Sequence, residues 1–321
     1  MTPAPPRTVP ARWDGRRATV LDEKGAGRLW NRHAIGERGA RGSLHLLPVE
    51  AAHALLHGWI EVHGDKGPVG LADLLTGNGA GTETQFLAYR DLRDRGLVVR
   101  QDGNHWAVWD RAKAPPEPPA YRVVAAAERD PVPVSELASW SAAGTVAAIV
   151  DDDADVTYYR LGSATPEGKC LPPEGRARAR RLADRVLVEA HDLWSERVRP
   201  AGTRPVFLSL VEAEALAAFG RLDLPRGPAA PEALVRVAAD LWRRGVIPRS
   251  GYRFGTHLRG YRDDPGAAHA EYLIHVASPG DRLPWTDISR GVRLAHGVRK
   301  RFLVAENAPQ LRYHEVAWFR P

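Results

Sequence analysis

Three basic side chains near the C-terminus are spaced so that they could meet a phosphate together. Residues 288 to 301 read ISRGVRLAHGVRKR. Arg290, Arg293 and Lys300 fall three and then seven residues apart, which predicts one shared face of a helix. Ile288, Val292, Ala295, Val298 and Phe302 recur at helical spacing and predict the buried stripe that anchors it. Like charges at such spacings repel slightly. Either this face simply meets water, or an anionic ligand sits there.

The bulk charge is compatible with an anionic partner without requiring one. Lys and Arg number 45 against 39 Asp and Glu, a net charge of +6 and a pI near 9.6. Most of the positive charge is Arg, which favours phosphate contacts and base stacking. At 321 residues the chain is long enough for two or more cores. Its 44% hydrophobic and 26% charged residues are those of a soluble globular protein, not of an acidic halophile surface. No run of 18 apolar residues occurs, so no membrane partner is expected. The opening MTPAPPRTVPARWDGRR has no apolar signal region, and residues 1–12 read as a disordered basic arm. Cys170 stands alone, which suits a reducing cytoplasmic location.

Other chemistry-bearing patterns are weaker. GNGAG (77–81) follows a helix-like LADLL and lacks a Lys, so it reads as a linker and not a nucleotide loop. DDDAD (151–155) lacks the Gly and terminal Glu of a calcium loop. No Cys/His cluster has zinc spacing, and no Asp precedes a Glu-x-Lys strand as in a Mg²⁺ nuclease. No metal and no cofactor are expected.

The chain repeats itself. LLPVEAAHALLHGWI (46–60) aligns with LSLVEAEALAAFGRL (208–222), and YRDLRDRGLVVR (89–100) with AADLWRRGVIPR (238–249). VSELASWSAAGTVAAIV (134–150) aligns without a gap with ISRGVRLAHGVRKRFLV (288–304). One unit of about 150 residues therefore occurs twice. The joint is the Pro- and Gly-rich stretch 164–178, and each repeat carries a second break, TGNGAGTE (76–83) or LPRGPAAPE (224–232). The resulting division is an arm (1–12), a small subdomain (13–80) and a larger one (81–163) in repeat one. A linker (164–178) leads to the corresponding 179–227 and 228–321 of repeat two. The expected class is mixed α+β, each repeat having a small α+β subdomain and a larger mixed-sheet α/β subdomain. The first repeat has Glu136, Ser139 and Val146 where the second has Arg290, Arg293 and Lys300. The helix therefore does not need the charges for packing.

The stretches DLWRRGVIPRSGYRFGTHLRGY (240–261), HAEYLIHV (269–276) and ISRGVRLAHGVRKRFLVA (288–305) resemble the archaeal tRNA-splicing endonuclease family. The likeness extends over essentially the whole chain. It points to the homodimeric subclass with tandem repeats, one copy degenerate and one active, on a restriction-nuclease-like larger subdomain. The resemblance implies a catalytic Tyr, His and Lys at Tyr261, His269 and Lys300. In the first repeat Trp109 stands near the Tyr position, APPEPPAY fills the His region, and Val146 replaces the Lys. That copy is expected to be inactive. His257 and His296 read as surface or supporting residues. His275 shares strand parity with His269 but lies about 20 Å further along, so it is left out.

The implied reaction is cleavage of precursor tRNA at a bulge–helix–bulge without a metal. A base takes the 2′-hydroxyl proton, and that oxygen attacks the adjacent phosphorus. An acid protonates the leaving 5′-oxygen, and a cation stabilises the extra charge of the transition state. The family assigns these roles to Tyr, His and Lys, and the products are a 2′,3′-cyclic phosphate and a 5′-hydroxyl. His269 suits the acid, with an ordinary imidazole pKa near 6.5. Tyr261 is a less comfortable base, near 10 unless a cation lowers it, and either abstracts the proton or only orients the hydroxyl. Arg293 matches an arginine that stacks on an extruded bulge base, and Arg290 is a second RNA-binding candidate. Glu315 stands where some relatives have another stacking arginine, with Trp318 and Arg312 as substitutes.

The resemblance also gives DDDAD a role. In the family an acidic loop here, in the degenerate copy, enters a basic pocket of the partner's active copy. Asp151, Asp152, Asp153 and Asp155 are therefore the expected dimer contacts, with Arg299 and Arg301 as candidate acceptors. The second repeat has the far less acidic ENAPQ (306–310) at the same turn. The rival reading is a non-catalytic RNA-binding or structural subunit of a splicing complex. The intact Tyr, His and Lys of repeat two oppose it.

Overall fold

A computed structural model describes residues 8–76, 79, 81–111, 113–188 and 206–321. It falls into two compact units: residues 1–130, 145–159 and 319–321, and residues 131–144 and 160–318. Residues 77, 78 and 80 of GNGAG, and 1–7 of the expected arm, lie outside the described residues. So do residues 189–205 of the expected second small subdomain.

The first unit opens with a strand where an arm was expected. Val9–Trp13 pairs antiparallel with Ala18–Val20 and parallel with Ile60–Gly64. Val9 and Ala11 are buried and Pro10 and Arg12 exposed, a period of two that a Pro- and Arg-rich composition conceals. The helix Pro48–Leu56 covers this sheet, and its Val-Glu-Ala repeat motif has a structural reason. Buried Glu50 accepts from the backbone of Leu47 and Gly36, at 2.9 and 3.1 Å. In the second unit Glu212, buried in the helix Leu210–Ala218, accepts from Ser209 N at 2.9 Å, while Ser209 Oγ accepts from Glu212 N.

The larger sheets repeat the same order. Helix Thr82–Asp94 leads to strands Val98–Asp102, His105–Trp109 and Tyr121–Ala127, joined antiparallel, then Val146–Val150 parallel to the last. Helix Glu232–Arg243 leads likewise to Ile247–Ser250, Leu258–Tyr261 and Tyr272–Ala277, antiparallel, then Arg301–Glu306 parallel to the last. Arg312–Phe319 adds an antiparallel strand to Arg301–Glu306. Two copies of one mixed α/β arrangement are present, as the internal repeats predict.

The compact units do not follow the repeat boundary. Pro131–Pro133 and helix Val134–Ala143, from repeat one, belong to the second unit. Pro131–Pro133 pairs antiparallel with Arg282–Pro284, and Trp140 stacks on Trp285 at 6.4 Å between centroids. The Pro/Gly joint is also pinned there. Gly168 N donates to Arg244 O, Lys169 N to Arg262 O, and Cys170 N to Gly245 O. A Cβ on Gly168 would lie 2.2 Å from Gly245 O, so only glycine fits that approach.

Candidate active site

The candidate catalytic residues sit at one edge of three neighbouring strands. Tyr261 ends Leu258–Tyr261, which runs antiparallel to Tyr272–Ala277 with Gly260 opposite Tyr272. Glu271 N donates to Gly260 O, and Arg301 N donates to Glu271 O, each at 2.9 Å. These bonds bring the segment after His269 between the end of one strand and the start of the next. Lys300 immediately precedes Arg301–Glu306, and its Nζ donates to Ala270 O at 2.8 Å. The ammonium is thus fixed beside the residue that follows His269.

Each group keeps a route to a ligand. His269 is exposed, and Lys300 is half-buried with its Nζ 5.8 Å from the Phe254 ring. Tyr261 is 9% exposed. Its hydroxyl makes no hydrogen bond among the described residues and is not among the buried unpartnered atoms, so it opens outward. The Arg259 guanidinium lies 5.5 Å from the Tyr261 ring, on the same side of the strand. Sequence reading missed Arg259 and Phe254, although strand alternation puts Arg259 on the face of Tyr261.

Lys300 is not on the basic helix face. The helix runs Trp285–Gly297, Val298 caps it, and Arg299 turns the chain at a left-handed φ of 54°. Val298 is 39% exposed, and Phe302 is buried in the following strand. The helical stripe therefore ends at Ala295, and the turn swings Lys300 inward toward Ala270. Arg290 and Arg293 stay on the exposed helix surface, Arg290 beside Asp287 at 3.3 Å. Arg293 makes no ion pair among the described residues.

Below Lys300 lies a small cleft of about 60 Å³, lined also by His296, Arg301, Glu315 and Trp318. Trp318 is 43% exposed, with its ring 5.5 Å from that of His296. Glu315 holds Arg301 in a two-bond fork, at 2.9 and 2.7 Å, which keeps the guanidinium pKa raised. Arg312 is engaged by Glu306 at 2.8 Å. His257 and His275 pair with each other at 4.4 Å, toward the opposite end of the strands from Tyr261. Burial lowers both pKa values, that of His275 to about 4.

The family model for the tRNA intron endonuclease catalytic C-terminal domain matches residues 232–312, which contain all three groups. The model for the N-terminal domain of the same enzyme matches residues 9–75. A tRNA-splicing endonuclease of Haloferax volcanii is 32% identical over 299 residues, 82% of this chain and 85% of its own length. One from Natronomonas pharaonis is 31% identical, covering 87% and 90%. One from Methanococcoides burtonii is 28% identical, covering 89% and 92%. The chain belongs to the tRNA-splicing endonuclease family. It is an endoribonuclease of tRNA intron removal, and its relatives are archaeal.

Within this endonuclease the first repeat carries different residues at the corresponding positions. Trp109 pairs with Val98 as Tyr261 pairs with Ile247, so the two occupy equivalent positions. Trp109 Nε1 donates instead to Glu117 O at 2.7 Å. Val146 is not in the place of Lys300, as the gap-free alignment implied: Val146 opens its strand, whereas Lys300 lies just before its own, where repeat one has the buried Thr145.

The DDDAD segment is the turn expected between two strands. Asp151 Oδ1 accepts from the backbone N–H of Asp153 and Asp155, at 3.1 and 2.9 Å, and Ala154 closes the turn at φ 65°. Asp152 pairs with Arg129, and Asp152, Asp153 and Asp155 are exposed. No helix among the described residues is long and apolar enough to cross a membrane.

Proposed function

We propose that the second repeat cleaves precursor tRNA at bulge–helix–bulge junctions by metal-independent transesterification. Tyr261 takes or orients the 2′-hydroxyl proton, His269 protonates the leaving 5′-oxygen, and Lys300 stabilises the charge that builds on the phosphoryl oxygens. The products are a 2′,3′-cyclic phosphate and a 5′-hydroxyl. One observation carries this reading: Lys300 Nζ is hydrogen-bonded 2.8 Å from Ala270 O, at the strand edge where Tyr261 ends and His269 enters. A held cation at such a site is worth an estimated 3–4 kcal/mol, by analogy with oxyanion donors. Positioned acids and bases add roughly 10²–10⁴-fold each. Arg293, and next to it Arg290, meet the RNA from the exposed helix face, with Arg293 stacking on an extruded base.

The working enzyme is a cytoplasmic homodimer in this reading. The exposed carboxylates of Asp152, Asp153 and Asp155, in a turn shaped by Asp151, enter a basic pocket of the partner's second repeat. Arg301 is already held by Glu315, which favours another acceptor. A cavity of about 410 Å³ is lined by Arg236, Arg243 and Arg244 together with Glu232 and Asp240, and Arg244 is paired with Asp240, which leaves Arg236 and Arg243 as the candidate acceptors. The subdomain divisions near 80 and 227 follow the same scheme. The test of the chemistry is incubation of the purified protein with a bulge–helix–bulge RNA in EDTA, with the ends identified. A Mg²⁺ requirement in the chemical step, or 3′-hydroxyl ends, would refute it.

A further inference from the structure

The first unit holds a side-chain cluster that RNA cleavage does not use. His53 lies in the helix Pro48–Leu56, and His57 caps its C-terminus one turn later. Residues four apart share a helix face. Asp94 ends the helix Thr82–Asp94, which packs against that helix. One ligand atom from each of the three lies within 4.8 Å of the others. His57 Nε2 and Asp94 Oδ1 already stand 3.6 Å apart. Two ligands on one tetrahedral ion, each about 2.0–2.1 Å from it, are about 3.3 Å apart. Small side-chain rotations therefore close the set.

The surroundings suit a ligand more than a plain ion pair. His53 is 2% exposed, and its Nδ1 has no hydrogen-bond partner. Trp59 fixes the other ring: it stacks along His57 at 4.8 Å on an interplanar angle of 21°, and along His33 at 3.8 Å. The alternative, a His57–Asp94 ion pair, exists only while His57 is protonated, and both side chains are more than 40% exposed. Such pairs contribute little.

We propose that His53, His57 and Asp94 bind one divalent transition-metal ion of the zinc type. Two imidazoles and a carboxylate suit Zn²⁺, with a fourth position left to water. The ion ties the C-terminal ends of two helices and stabilises the first unit. Tyr261, His269 and Lys300 all belong to the second unit, so none of them is a ligand of this ion.

Cobalt titration of the full-length, tag-free protein tests the site. The expected result is saturation at one Co²⁺ per chain with the intense visible absorption of four-coordinate cobalt, displaced by Zn²⁺. Excess Zn²⁺ should raise Tm, and a chelator should lower it again. His57→Ala and Asp94→Asn, at exposed positions, should each weaken Co²⁺ binding at least roughly tenfold and abolish the Zn²⁺-dependent rise in Tm. Circular dichroism should show both variants folded. The proposal is overturned if the wild-type protein gives no saturable four-coordinate signal, or if both variants bind Co²⁺ as the wild type does.

Discussion

In the proposed mechanism two demands fall on Lys300, since the Nζ that bonds Ala270 O must also meet the phosphoryl oxygens. Lys300→Ala and His269→Ala should each slow cleavage by roughly 10²-fold or more while RNA affinity, measured by equilibrium binding, changes little. Arg293→Ala should weaken bulge docking by about 1–3 kcal/mol, and Arg293→Lys should restore only part of it, because an ammonium lacks the planar stacking face. An equal loss on an unstructured single strand would instead indicate general phosphate attraction. A pH effect belongs to His275, whose pKa is lowered from 6.5 to about 4. Between those values the unfolded chain binds a proton that the folded one refuses, so stability falls as pH drops through that window. Thermal melts at pH 7 and 5 should show a smaller loss for His275→Gln than for the wild type. Motif order singles out Tyr261, His269 and Lys300 as candidates, and the structure places them at one end of three neighbouring strands. The direction of Lys300 was not legible, because Val298 and Phe302 continue the helical period past the point where Arg299 turns the chain. Asp94 beside His53 and His57 was invisible, since a ligand brought in by tertiary packing leaves no spacing to read.

The helix Trp285–Gly297 lies close on its sheet through Gly291, where an added Cβ would meet the Phe302 ring at 2.3 Å. Gly291→Ala should destabilise the protein by about 1–3 kcal/mol through overpacking. The gain of about 1 kcal/mol in helix propensity offsets this only in part. Gly168→Ala meets backbone at Gly245 and should lower Tm further, since a carbonyl cannot rotate aside as a ring can. Chemical denaturation of both variants checks the order. At this scale the repeats were readable because the Glu of Val-Glu-Ala is a buried cap in both copies, Glu50 and Glu212. The strand Val9–Trp13 was not, since its Pro- and Arg-rich composition hides the alternation and its parallel partner Ile60–Gly64 is remote in sequence. Nor was the pairing of Pro131–Pro133 with Arg282–Pro284, which is likewise remote in sequence.

For the whole molecule, the proposed assembly places an acidic turn of one chain against a basic surface of another. A two-fold axis would make two such contacts and close a dimer with two active sites. Replacing Asp151, Asp152, Asp153 and Asp155 together with Asn should weaken the dimer in sedimentation velocity and depress cleavage, because removing one side leaves unpaired positive charge. A variant dimer of wild-type stability would exclude the contact, as would a fully active wild-type monomer at micromolar concentration. The central claim is the chemistry of the second repeat, and single-turnover cleavage of a bulge–helix–bulge RNA in EDTA measures it most directly, run on the wild type and on His269→Ala. The account predicts wild-type cleavage with 2′,3′-cyclic phosphate and 5′-hydroxyl ends, and a His269→Ala rate lower by roughly 10²-fold or more at unchanged RNA affinity. Cleavage that stops without Mg²⁺, 3′-hydroxyl ends, or a His269→Ala rate equal to the wild type would contradict it.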